Sequence, residues 1–236
     1  RLVNVVITNR NLHVSNSLIM LVGTPWTLCH LRLRLLPCPH RYGKAPIGKY
    51  RKKRSKNMTL LKIAKMGNAV LSSVADPVSD PTSPEINQLV NDMVDTMLDA
   101  PGVGLAAPQV HVAKRVVVYY VPEDRDENGI GEPITALINP VLTTIGTEQD
   151  YATEACLSLP DMSGQVPRYL NLHVKADLLN GGTFERDVSG FHARLLQHEC
   201  DHLDGILYPM RMDDLDTFGY ISELEDQTSD ADTEEG

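Results

Sequence analysis

Two histidines four residues apart, on a segment with helical spacing, constrain this chain more than any other feature. Gln197-His198-Glu199-Cys200-Asp201-His202 reads as part of a helix that Ser189 can cap and Gly205 closes. Residues four apart lie one turn apart on the same face. His198 and His202 can therefore offer two imidazole nitrogens to one metal ion, with Glu199 beside them to act on a water. Cys200 points away from that face and reads as a small buried thiol. Phe191, Leu195 and Leu196 in the preceding turns pack inward, which sets the histidines at the edge of a core. HExxH also arises by chance, so the metal reading calls for a third ligand.

A catalytic site of this kind takes three protein ligands and keeps one position open. The motif runs on through Leu203-Asp204-Gly205-Ile206-Leu207-Tyr208, and Tyr208 stands where one protease class has its third histidine. Thermolysin-like enzymes use a carboxylate farther downstream. Glu223 and Glu225 fit by distance, although both border an acidic run that reads as solvated. Upstream, Cys156 is the better candidate. It lies in Glu154-Ala155-Cys156-Leu157-Ser158-Leu159-Pro160, a mostly small and apolar stretch between strands, where a lone cysteine is ordinarily inert core.

The elements before this helix are mainly strands. Ser83-Pro84-Glu85 opens a first helix, with serine as N-cap and proline at the first helical position. Ile86, Leu89, Val90, Met93, Val94, Met97 and Leu98 follow as an apolar stripe, and Pro101-Gly102 ends it. Residues 102–109 read as a glycine-containing loop, 115–121 and 134–145 as strands, and 124–132 as a surface turn. Leu170, Leu172, Val174, Ala176 and Leu178 alternate with polar residues, and Asn180-Gly181-Gly182 turns the chain into a hairpin partner over 184–188. A short final helix is expected over 213–224. The order is not βαβ, which predicts an α+β fold: antiparallel β-sheets packed around a central HExxH-bearing helix.

Charge divides the chain. Residues 1–57 hold 12 of its 22 Lys and Arg and none of its 31 Asp and Glu. This basic leader, ending in Lys49-Tyr50-Arg51-Lys52-Lys53-Arg54-Ser55-Lys56, is open to three readings: an organellar transit peptide, an RNA-touching tail, or sequence upstream of a natural start at Met58. The last is favoured, because coherent patterning starts only after Met58. The leader is expected to be disordered or outside the native protein, residues 58–224 to be the catalytic domain, and 225–236 to be a disordered acidic tail. The acidic body argues against nucleic acid as a partner. Of four cysteines only Cys156 and Cys200 lie in the body, too few for a disulfide framework and consistent with a reducing compartment. No uninterrupted apolar run reaches spanning length; 18–36 comes nearest and is broken by His30, Arg32 and Arg34.

Three segments in order resemble the signatures of peptide deformylases. Gly102-Val103-Gly104-Leu105-Ala106-Ala107-Pro108-Gln109 resembles GxGLAAxQ, Glu154-Ala155-Cys156-Leu157-Ser158 resembles EGCLS, and Gln197-His198-Glu199-Cys200-Asp201-His202 resembles QHExDH. The similarity runs from Met58 to Leu224. One departure is Ala155, where the family has glycine; if that glycine takes positive φ, alanine costs on the order of 1 kcal/mol.

The resemblance implies a metal-dependent hydrolase that removes the formyl group from the N-terminal formylmethionine of new polypeptides and releases formate. It implies Cys156, His198 and His202 as ligands of one Fe2+, with Zn2+, Ni2+ or Co2+ able to substitute. Glu199 would carry the proton from water to the departing amine. Gln109 and the backbone N–H of Leu157 would face the developing oxyanion. Gly102 and Gly104 would let the backbone approach an extended substrate. Val103 and Leu195 would line the methionine pocket, and Glu154 and Arg168 would pair behind the site. Formyl-Met nascent peptides at the ribosome are the expected partners of a monomer in the bacterial cytoplasm, or of a plastid or mitochondrial enzyme if residues 1–57 are a transit peptide. The alternative is an HExxH metalloendopeptidase.

Overall fold

The computed structural model describes residues 59–224. The expected leader, the start at Met58 and the acidic tail lie outside them. Helix α1 spans Pro84–Asp99, with the Ser83 hydroxyl accepting from the Ile86 N–H at 3.3 Å. Its stripe buries Val90, Met93 and Met97. A five-stranded antiparallel sheet has the order β1 (Gly104–Ala106), β2 (Val116–Val121), β3 (Glu132–Thr144), β6 (Asn171–Asp177), β7 (Thr183–Ser189). A second sheet has the order β4 (Gln149–Cys156), β5 (Leu159–Tyr169), β8 (Gly219–Tyr220). Helix α2, Gly190–Leu203, carries HExxH.

Strand β2 explains how the layers stack. Its run Val116-Val117-Val118-Tyr119 is buried throughout, because both of its faces are covered. Val116 and Val118 pack with Met93 and Met97 of α1. Val117 and Tyr119 pack with Leu195, Leu196 and Leu203 of α2. Full burial of each such leucine contributes roughly 1.5–3 kcal/mol, enough to hold α2 rigidly against the sheet. A third cluster joins Cys156, Leu159 and Val166 of the small sheet to Leu207 and Tyr208, just past α2.

Three local expectations are corrected. The 102–109 loop contains strand β1 and a 3-10 turn at Ala107–Val110. The stretch around Cys156 is not a link between strands: Cys156 ends β4 and pairs with Leu159 across the two-residue turn Leu157-Ser158. The final helix over 213–224 is a 3-10 turn at Leu215–Thr217, the short strand β8, and one helical turn at 221–224. The Asp214 side chain accepts from the Asp216 N–H at 2.9 Å, the local bonding by which aspartate favours turns over helix interiors. Ser189 does hold the N-cap position of α2, but its hydroxyl donates to Glu127 Oε2 at 3.1 Å rather than serving the helix backbone.

Candidate metal centre

Helix α2 sets His198 and His202 one turn apart on a single face, and the tip of the β4–β5 hairpin brings Cys156 to them. The three residues are buried and offer donor atoms that all lie within 4.8 Å of one another. Cys156 Sγ is 3.2 Å from His202 Nε2. His198 turns its Nδ1 to Glu154 Oε2 at 2.8 Å, which leaves Nε2 for the centre. Such a carboxylate fixes ring orientation and tautomer.

Glu154 is held in turn. It is fully buried and accepts from Arg168 Nε and Nη2 at 2.9 and 3.0 Å and from Arg194 Nη1 at 3.0 Å. Arg168 also donates to Asp201 Oδ2 at 2.5 Å, and Arg211 Nη2 donates to Asp201 Oδ1 at 2.7 Å. Burial opposes ionisation of Glu154, but Arg168 and His198 outweigh it and hold the carboxyl well below its usual range. The chain thus spends a buried ionic network on aiming one imidazole.

Burial likewise works against a thiolate at Cys156, yet His202 and His198 overcome it and lower the thiol well below its ordinary value. Burial also disfavours the charged His198, but Cys156 and Glu154 raise it well above the usual imidazole range. Glu199 is pushed up to about 7, by burial first, with His198 and His202 opposing. Its Oε2 and the Nδ1 of His202 are buried without a hydrogen-bond partner among the described residues. One soft thiolate donor, two imidazoles and unspent polar atoms beside them suit a divalent metal with an open position.

Gln109 is buried next to the sulfur. Its Oε1 accepts from the Ala106 N–H at 2.9 Å, and its Nε2 lies 3.2 Å from Ser158 Oγ and 3.5 Å from Cys156 Sγ. Gly104 allows Glu199 to sit where it does: a Cβ there would fall 2.2 Å from Glu199 Oε1. A Cβ on Gly102 would meet Leu157 Cδ1 at 2.9 Å. Val103 and Leu195 are buried together in the main core.

Ala155 sits in β4 opposite Ser163 and is not among the described residues with positive φ, so the methyl group brings no backbone strain. Tyr208 is 1% exposed and lies nearly parallel to the His198 ring, with centroids 6.1 Å apart, as part of the core. Glu223 is exposed and Glu225 lies outside the described residues. Sequence reasoning did not single out Arg194, Asp201, Arg211 or Lys65 around the site; only their three-dimensional neighbours reveal them.

The family model described as Polypeptide deformylase matches residues 60–218. The chain belongs to the polypeptide deformylase family. Peptide deformylase 2 of Ralstonia nicotianae is 45% identical over 163 residues, covering 69% of this chain and 92% of the relative. Peptide deformylase 1 of Nitrosomonas europaea is 49% identical over 124 residues, 52% of this chain and 70% of the relative. A Met-Ala-Ser-bound class I type b peptide deformylase from Acinetobacter baumannii superposes with a TM-score of 0.61 at 38% identity, covering 66% of this chain and all of that one. The reaction of this family member is hydrolysis of the formyl group from N-terminal formylmethionine, and the endopeptidase alternative is not favoured.

Proposed function

We propose that residues 58–224 form the catalytic domain of a deformylase that holds one Fe2+ between Cys156, His198 and His202, with Zn2+, Ni2+ or Co2+ able to replace it. The observation that carries this reading is the convergence of the three buried donor groups. The metal, when bound, supplies a Lewis acid for the formyl carbonyl and makes water acidic enough to attack at neutral pH. Glu199 accepts the proton of the attacking water and returns it to the departing amine. A carboxylate raised to about 7 by burial suits both halves of that transfer.

Gln109 donates from Nε2 to the developing oxyanion, joined by the Leu157 N–H. Its own carbonyl is fixed by Ala106, so the donor is aimed before substrate arrives. Strand β1 lies at the end of its sheet, and the substrate backbone adds along its open edge beside Gly102, Val103 and Gly104. Leu195, three residues before His198 on the same face of α2, closes the methionine pocket with Val103. A formyl group is the smallest acyl group, so packing this tight selects it over acetyl by sterics.

The substrates are formyl-Met nascent chains at the ribosome, met by a monomer in the bacterial cytoplasm. No helix among the described residues is long and apolar enough to cross a membrane. The test is formate release from formyl-Met-Ala-Ser by the metal-loaded protein. The wild type is expected to release formate and Glu199→Gln to lose nearly all turnover at unchanged metal content. No release by the wild type, or an undiminished rate in the variant, would overturn the assignment.

A further inference from the structure

One short segment before α1 reaches the site from outside. The Ala64 N–H donates to the Gln109 carbonyl at 2.7 Å, and the Met66 N–H donates to the Ser158 carbonyl at 2.9 Å. Between them, Lys65 Nζ donates to the Leu157 carbonyl at 2.6 Å. That carbonyl and the Ser158 N–H belong to the same peptide unit. The Ser158 N–H in turn points at Cys156 Sγ, 3.4 Å away. An ammonium on a peptide oxygen draws electron density toward it and makes the N–H at the other end a stronger donor. Lys65 is therefore linked to the sulfur through one peptide group without touching it. Lys62, also exposed on the same segment, makes no such contact among the described residues.

We propose that Lys65 is a positioning residue of the metal centre: acting through the Leu157–Ser158 peptide, it strengthens the N–H···S bond on Cys156 and withdraws charge from the thiolate. The proposal rests on the reading of Cys156 as a ligand. A lysine that merely braced the hairpin would be replaceable by any side chain that keeps the fold; a lysine acting through charge is replaceable only by another cation able to reach the same carbonyl.

The experiment uses the full chain, loaded with Co2+ for the sulfur-to-cobalt charge-transfer band and with Zn2+ for the Ser158 amide proton resonance. In Lys65→Met the band moves to longer wavelength, because a less hydrogen-bonded sulfur gives up charge more easily, and the amide proton moves upfield. Lys65→Arg restores both toward the wild-type positions, and Lys62→Met changes neither. A band that stays in place in Lys65→Met, or one displaced as far in Lys65→Arg, overturns the inference while leaving Cys156 a ligand. A wild-type protein with no sulfur band at all overturns both.

Discussion

The Glu199 carboxylate occupies the space that a side chain at Gly104 would need: a Cβ on residue 104 would lie 2.2 Å from Glu199 Oε1 and 2.7 Å from its Cδ. The backbone at Gly104 is not left-handed, so the glycine serves room rather than conformational freedom. Gly104→Ala is expected to push the Glu199 carboxylate out of line while the fold persists. Since a positioned acid–base group contributes roughly 10²–10⁴-fold, kcat should fall by about 10²-fold or more at unchanged metal content. Steady-state kinetics beside elemental analysis checks this; near wild-type kcat would mean that Glu199 tolerates displacement.

Much of this was legible beforehand, and the reasons it stopped where it did are physical. Helix α2 announced itself because its buried face is apolar at helical spacing and its chemistry falls on one turn. Strand β4 did not, because its inward-facing positions include the charged Glu154 beside Ala152 and Cys156. A buried carboxylate breaks the apolar alternation that marks a half-buried strand. The charge is there because Arg168 and Arg194 neutralise it from β5 and α2, partners 14 and 40 residues away that no local pattern connects. The Lys65 contact is hidden for the same reason: its acceptor, the Leu157 carbonyl, lies 92 residues on.

That buried network gives the second prediction. Arg168 is 4% exposed and pairs with both Glu154 and Asp201, sharing Asp201 with Arg211. Arg168→Met leaves Glu154 to Arg194 and His198 alone. Breaking one partner out of a buried pair costs about 3–5 kcal/mol, and Arg194 places this case toward the lower end. Loss of aim at His198 should also weaken metal binding by roughly 10–100-fold. Urea denaturation of the metal-free protein and a competitive chelator titration measure the two effects. A stability change below about 1 kcal/mol, the scale of an exposed pair, would mean that the network is dispensable.

Acid stability follows from a histidine outside the centre. His192 on α2 lies 3.0 Å from the hydroxyl of Tyr119, through its Nε2. Burial lowers its pKa to about 4, helped by Arg186 and opposed by Glu132 and Asp126. Below the ordinary value of 6.5 the unfolded chain takes a proton that the folded one refuses. Stability from this group is therefore complete above about 6.5 and is lost as pH falls toward 4. In His192→Gln the slope of stability against pH over that window should lessen by at most about 1.4 kcal/mol per pH unit, one proton's worth. Parallel slopes for the two proteins would show that His192 protonates freely in the fold.

Ala155 offers the test of whether a departure from the family signature weakens the site. The residue is fully buried in β4, pairs with Ser163, and takes no left-handed backbone angle. Its methyl group therefore fills core rather than straining the turn that carries Leu157. Ala155→Gly restores the signature but loosens a strand interior and removes a buried methyl, at a combined cost of about 1–2 kcal/mol. Thermal or urea unfolding should show that loss, with kcat/KM for a formyl-Met peptide unchanged. A glycine variant that turns over faster would place strain at residue 155 after all, and with it a misaligned N–H at the next residue but one, Leu157.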